Sequence, residues 1–104
     1  MFHYCTSLSS FDAELPMMTN GSSMFYYCTS LSSFNTSLTE LINGDSMFCW
    51  CSGMTSFSSD LSNLIDGTGM FYGSNLTTFN SSLPKLEIGD NMFYRCSLSA
   101  SSIL

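Results

Sequence analysis

The sequence predicts a repeat solenoid, a single array of stacked coils of about 23 residues, β-rich with turns and little helix. Three observations predict it. The phrase MFHYCTSLSSF at residues 1–11 returns almost unchanged as MFYYCTSLSSF at residues 24–34. Met-Phe recurs at positions 1, 24, 47, 70 and 92, a spacing of 23 residues followed once by 22. Apolar residues hold fixed columns within that period: Met and Phe first, Cys fifth, Leu or Met eighth, Phe eleventh and Leu fifteenth, with Gly at the twenty-first place. A coil this short cannot bury its own apolar edge, but several stacked together can.

The coils are 1–23, 24–46, 47–69 and 70–91, with a partial coil at 92–104. In the second coil the columns are Met24, Phe25, Cys28, Leu31, Phe34, Leu38 and Gly44, and Leu41 adds a further apolar place. SLSSF, SLSSF, GMTSF and NLTTF place hydroxyl residues between apolar ends, the composition of one short strand per coil, and stacking makes the strands parallel, about 4.8 Å apart. The Asn-Gly, Asp-Gly and Gly-Asp steps near residues 20, 43, 66 and 89 read as turns, since Gly and Asn tolerate positive φ. The fourth coil, MFYGSNLTTFNSSLPKLEIGDN, is one residue short; alignment puts the gap at the Cys place, and the columns resume at Leu76 and Phe79. After Met92, Phe93 and Cys96 the pattern decays into SLSASSIL, a cap, a truncated repeat or the product of a frame error. No segment sustains a helical apolar period beyond about two turns. Because it opens on the first letter of a repeat, the chain is expected to be a piece of a longer protein.

Composition excludes several classes. Two Lys and Arg against eight Asp and Glu give a formal net charge of -6, and Lys85 and Arg95 cannot make the basic stripe that nucleic acid requires. The 44% apolar content argues against disorder, although only 10% of residues are charged. No window reaches the roughly 18 apolar residues of a membrane span, and the first residues lack the pattern of a signal peptide.

Read from Leu31, the order Leu, two places, Phe34, then Gly44, Met47-Phe48 and Cys51 resembles the BspA-like, Treponema-type leucine-rich repeat across essentially the whole chain. The Met-Phe-x-x-Cys phrase is also similar to a longer bacterial surface repeat. The family's central Ile-x-Ile-Pro stretch is missing, and Leu38 and Leu41 sit about two places early. The resemblance implies a leucine-rich-repeat-like solenoid from an extracellular or cell-surface protein, bacterial or otherwise microbial, or from a virion surface, often adhesive or partner-binding. It brings no catalytic residues and no cofactor.

The residues themselves offer no reaction centre. Five Cys, at 5, 28, 49, 51 and 96, cannot all pair within the chain. Cys5, Cys28 and Cys51 share one column, either a buried set of small apolar side chains or neighbours that a disulfide could span. The Cys-Trp-Cys at 49–51 would need two more ligands to hold zinc, and His3, the sole imidazole, lies two coils away. A serine nucleophile needs a positioned base, and His3 has no evident orienting acid beyond Asp12 or Glu14. No enzymatic activity, metal or cofactor is expected.

Two columns remain as candidates for recognition. Tyr4, Tyr27 and Trp50 form one aromatic ladder and Tyr26, Tyr72 and Tyr94 a second, presenting flat amphipathic rings to a sugar or protein, or else covering the turn beneath. Ser9, Ser32, Thr55 and Thr77 head a hydroxyl strand face that either engages polysaccharide or simply keeps the strands soluble. The expected function is surface recognition or adhesion through one of these faces, with a protein or carbohydrate partner; the alternative is a purely structural spacer. Uncapped terminal coils add a tendency to self-associate.

Overall fold

A computed structural model describes residues 2–15 and 17–98. The opening Met1 of the first coil and the 99–104 end of the terminal tail lie outside the described residues. Among the described residues there is no helix, and four short strands follow one another: β1 (Ser10–Phe11), β2 (Ser33–Phe34), β3 (Ser56–Phe57) and β4 (Thr78–Phe79). One strand falls in each coil at the predicted place. β1 pairs with β2 in parallel, Ser10 opposite Ser33 and Phe11 opposite Phe34; β3 pairs with β4, Ser56 opposite Thr78 and Phe57 opposite Phe79. The strand face is therefore two sheets of two strands rather than one of four.

The more continuous ladder lies where the sequence suggested only turns. Parallel bridges join Asn20 to Asn43, Asn43 to Asp66 and Asp66 to Ile88, through all four coils. The Asn and Asp side chains there accept from the backbone two residues on: Asn20 Oδ1 from Ser22, Asn43 Oδ1 from Asp45 and Asp66 Oδ1 from Thr68, each at 2.9 Å. This is the local side-chain bond for which Asn and Asp are favoured in turns.

Beyond that ladder the backbone alternates. The N–H groups of Gly21, Ser23, Phe25 and Tyr27 donate to the carbonyls of Asn43, Asp45, Met47 and Cys49 in the next coil, at 2.8 to 2.9 Å. Those of Met24, Tyr26 and Cys28 turn back to Gly21, Ser23 and Phe25, at 3.0 to 3.2 Å. Every second donor thus crosses between coils and every other closes a turn, so none is left orphaned. Positive φ falls at two places in this ribbon: Ser23, Ser46, Gly69 and Asn91 at one, and Tyr4, Tyr27, Trp50, Gly73 and Arg95 at the other.

The glycines expected to need positive φ are a different matter. Gly21, Gly44 and Gly67 are not among the left-handed residues; what they supply is space. A Cβ on Gly21 would sit 2.8 Å from Met47 Sδ, one on Gly44 2.9 Å from Met70 Sδ, and one on Gly67 2.9 Å from Met92 Sδ. Each Gly accommodates the thioether that opens the next coil but one from its own Met, which explains why the Gly and Met columns share a period.

Two phenylalanine columns fill the core. Phe2, Phe25, Phe48, Phe71 and Phe93 stack nearly parallel, with centroids 5.5, 5.4, 5.5 and 5.7 Å apart. Phe11, Phe34, Phe57 and Phe79 form the second stack at 5.8 to 6.0 Å. The columns meet edge to face, as in Phe34 against Phe48 at 4.9 Å and 77°, the arrangement that the ring quadrupole favours. Leu31, Met54 and Leu76 continue the core on one side of these rings and Leu38, Leu41, Leu61 and Leu64 on the other, all buried. Leu38 and Leu41 lie close together through a turn in which the Leu41 N–H donates to the Leu38 carbonyl at 3.0 Å.

The short fourth coil departs from the sequence alignment. Ser74, fully buried, occupies the Cys place, and its N–H donates to Phe71 O as that of Cys51 does to Phe48 O. The deletion falls one step later, where Asn75 alone spans the distance covered by Ser52 and Gly53 in the third coil. Its Nδ2 donates to the Ser52 carbonyl at 2.7 Å, tying the shortened turn to its neighbour.

Candidate functional site

The cysteine column is structural chemistry. All five thiols are unpaired. Cys28 Sγ donates to Phe2 O at 2.9 Å, Cys51 Sγ to Phe25 O at 3.1 Å and Cys96 Sγ to Phe71 O at 3.0 Å, each carbonyl belonging to the preceding coil. Burial raises the pKa of Cys28, Cys49 and Cys96 and pushes that of Cys51 up to about 12, so the thiols stay protonated, and those of Cys28, Cys51 and Cys96 act as donors between coils. Ser74 in the same column has a shorter side chain, and its Oγ turns back to Phe71 O of its own coil at 2.8 Å.

The hydroxyl residues Ser9, Ser32, Thr55 and Thr77 are all exposed, each one place before the strand of its coil. Part of their hydrogen-bonding capacity is already used: Ser32 Oγ donates to Ser9 O and Thr77 Oγ1 to Thr55 O, each at 3.3 Å.

The aromatic residues gather on the other edge, along the turn ribbon, in two clusters in place of two unbroken ladders. Tyr4 meets Tyr27 at 5.3 Å and Tyr26 at 5.8 Å. Trp50 meets Tyr72 at 5.3 Å and 73°, and Tyr72 meets Tyr94 at 5.2 Å. Between the clusters the column of Tyr26, Tyr72 and Tyr94 is interrupted by Cys49, which is buried. Trp50 leans away from Tyr27 because the next residue in its own column is Gly73, where a Cβ would run into the indole ring. Gly73, with φ of 75°, serves both as a left-handed residue and as the bed for Trp50.

The interruption leaves a notch of about 360 Å³, walled by Tyr26, Trp50 and Tyr72. Buried Cys49 and half-buried Ser46 and Thr68 also line it, together with exposed Asp90 and Asn91. Ser46 Oγ donates to Asp45 Oδ1 at 2.9 Å and Thr68 Oγ1 to Asp66 Oδ1 at 2.7 Å. Asp45 also adds to the rise in the Cys49 pKa, behind the larger effect of burial. The sequence reading aligned Tyr26, Tyr72 and Tyr94 as one ladder across the Cys49 place, and it did not show a lined depression there, because Ser46 and Asp90 belong to the coils on either side and Thr68 lies 19 residues further along the same coil. Among the described residues, no group of three or more His, Cys, Asp and Glu is placed to hold a metal ion.

No curated protein and no solved structure matches the chain. A family model described as BspA type leucine rich repeat region (6 copies) matches residues 1–99, in agreement with the 23-residue coils, the single short parallel strand in each and the stacked apolar columns. The chain belongs to the BspA-type leucine-rich-repeat family.

Proposed function

We propose that the chain is a non-catalytic recognition module of a microbial surface protein, engaging a protein or carbohydrate partner through its aromatic edge. The family is generally non-catalytic and typically surface-associated, which sets the broad role. The observation that carries the finer reading is conformational. Tyr4, Tyr27 and Trp50 hold positive φ of 62, 63 and 63°, a conformation that bulky residues seldom adopt and that costs on the order of 1 kcal/mol each. Glycine fills the same place in the fourth coil. Large rings kept where glycine is easier, and left 61% exposed at Tyr4 and 42% at Tyr27, fit a surface used for contact better than one that only holds coils apart. The strand face supports recognition less well, since Ser32 and Thr77 spend their hydroxyl protons on neighbouring carbonyls.

The test is binding of the soluble chain to a broad glycan and surface-protein array, beside a variant carrying alanine at Tyr26, Tyr27, Trp50 and Tyr72 and checked for an unchanged circular dichroism spectrum. A specific signal lost in the variant supports the aromatic edge. A signal that persists moves recognition to the strand face, and silence from the folded chain leaves the spacer.

A further inference from the structure

We propose that the notch between Tyr26 and Tyr72 receives an organic cation, the side chain of a lysine or arginine on a protein partner. This rests on the reading of the aromatic edge as a recognition surface and names what that surface selects.

The argument is one of complementary electrostatics. An ionised carboxylate can only accept, so the Ser46 and Thr68 hydroxyls must spend their protons on Asp45 and Asp66, turning their lone pairs outward. Asp90, exposed and lining the same notch, adds a carboxylate as a third acceptor there. The side-chain donors around the notch are the Asn91 amide, the Trp50 indole N–H and the Tyr26 and Tyr72 hydroxyls, and none of them carries a positive charge. The walls are aromatic: Trp50 and Tyr72 meet edge to face at 5.3 Å and 73°, forming a corner, and Tyr26 lines the same notch. Aromatic faces and acceptors together attract a cation and repel an anion.

Size agrees. Steps of 5.4 and 5.5 Å between Phe25, Phe48 and Phe71 set the second and fourth coils about 11 Å apart. Van der Waals contact at about 3.5–4.0 Å on each side leaves about 3–4 Å along the stack between the atoms of an occupant, room for one ammonium or guanidinium head. The same edge already holds a cation in this way, for the Arg95 guanidinium lies 5.8 Å from the centre of the Tyr94 ring. The chain has only two basic residues and a net charge of -6, so its long-range field draws basic partners toward the notch.

Trp50 is the only tryptophan, and its fluorescence, with the ring signals of Tyr26 and Tyr72 in NMR spectra, reports on the notch directly. The probes are capped trimethyl-lysine, its uncharged tert-butyl isostere, capped arginine, capped glutamate and methyl glucoside. The expected result is saturable shifts at millimolar concentration with the two cations and at least tenfold weaker effects with the isostere and glutamate. Cys49→Tyr, which restores the aromatic column and fills the notch, should abolish the shifts while Met17→Ala, at an exposed position away from the aromatic edge, leaves them intact. Asp90→Asn, at an exposed position, should weaken the cations several-fold and leave the isostere unchanged, so the test survives if Cys49→Tyr fails to fold. Equal binding of cation and isostere, binding unaffected by both notch variants, or no shift with any cation overturns the proposal. Shifts with methyl glucoside alone overturn the cation while retaining the aromatic edge as a recognition surface. Array signals lost with the four aromatic rings but kept in Cys49→Tyr would separate failure of the notch from failure of that surface.

Discussion

Cys51 Sγ lies 3.1 Å from the backbone carbonyl oxygen of Phe25, one coil back, and donates its proton there. The Phe25 carbonyl also accepts the N–H of Cys28 within its own coil, so one oxygen joins a turn to the coil that follows. Cys28 and Phe2 repeat the relationship, and so do Cys96 and Phe71. The column is thus a thiol-to-carbonyl ladder, and its strength depends on the thiols remaining protonated.

Alkaline pH should loosen the fold. The Cys51 pKa is pushed up to about 12 in the folded chain from an ordinary 9.0, so the unfolded chain releases this proton first and stability falls as pH rises. The contribution is fully present below pH 9 and is lost between pH 9 and about 12. At about 1.4 kcal/mol per pH step, Cys51 accounts for something on the order of 4 kcal/mol across that window. Cys28, Cys49 and Cys96 shift in the same direction. Urea midpoints measured from pH 7 to 11 should hold level and then decline; a midpoint that is flat through pH 11 contradicts the ladder.

Buried, protonated thiols should also be slow to react. Cys28 and Cys51 in the native chain should resist a thiol-specific reagent until the chain opens, while Cys5, half-buried, reacts sooner. Cys51→Ser should cost about 1 kcal/mol, because a serine oxygen at this place reaches back to its own coil, as Ser74 does. Denaturant titration of the variant measures the loss, and labelling followed by mass spectrometry ranks the five thiols.

The glycine column offers a test of packing. A Cβ at Gly44 would stand 2.9 Å from Met70 Sδ and 3.3 Å from Leu64 Cδ1, so Gly44→Ala should destabilise by about 1–3 kcal/mol. Met70→Ala alone should cost about 2–5 kcal/mol through its cavity. The double variant should cost less than the two single changes together, since the new methyl occupies part of the vacated space. A strictly additive cycle would show that Gly44 and Met70 do not share that space.

The coil register and both phenylalanine columns were legible because a period repeated four times averages out local ambiguity: Phe25, Phe48 and Phe71 can hardly be anything but a stack. The purpose of Gly21 and Gly44 was not legible, because turn chemistry and close packing both select glycine and only the position of the Met thioether decides between them. Ser74 was misplaced for a related reason. A gap in a short coil can be slid past a serine without breaking any apolar column, whereas the hydrogen bond to Phe71 fixes it. The notch was not legible: the ladder of Tyr26, Tyr72 and Tyr94 was drawn across the Cys49 place, and the acceptor lining comes from hydroxyl orientations set by Asp45 and Asp66, which no spacing in the sequence records.

Gly73→Ala should be more costly than an ordinary surface change. The added methyl must fit a φ of 75° and displace the Trp50 indole, and the left-handed conformation alone disfavours alanine by about 1–2 kcal/mol. Stability should fall by at least that much, and the Trp50 emission should shift as the ring leaves its bed. Loss of stability without any change in emission would place the indole elsewhere.

The converse change separates scaffold from contact surface. Tyr27→Gly relieves the left-handed strain, worth about 1–2 kcal/mol, and gives up the ring contact with Tyr4 at 5.3 Å, worth about 0.5–1.5 kcal/mol. Added backbone freedom in the unfolded chain takes back a further part of the gain. The terms nearly cancel, so the melting midpoint should move little. If Tyr27 is kept to meet a partner, binding to whatever the array identifies should nevertheless drop at least several-fold. If the ring serves the scaffold instead, the loss should appear in stability and leave binding untouched, so one variant read in two assays decides which demand holds a tyrosine in a place that glycine fills more easily.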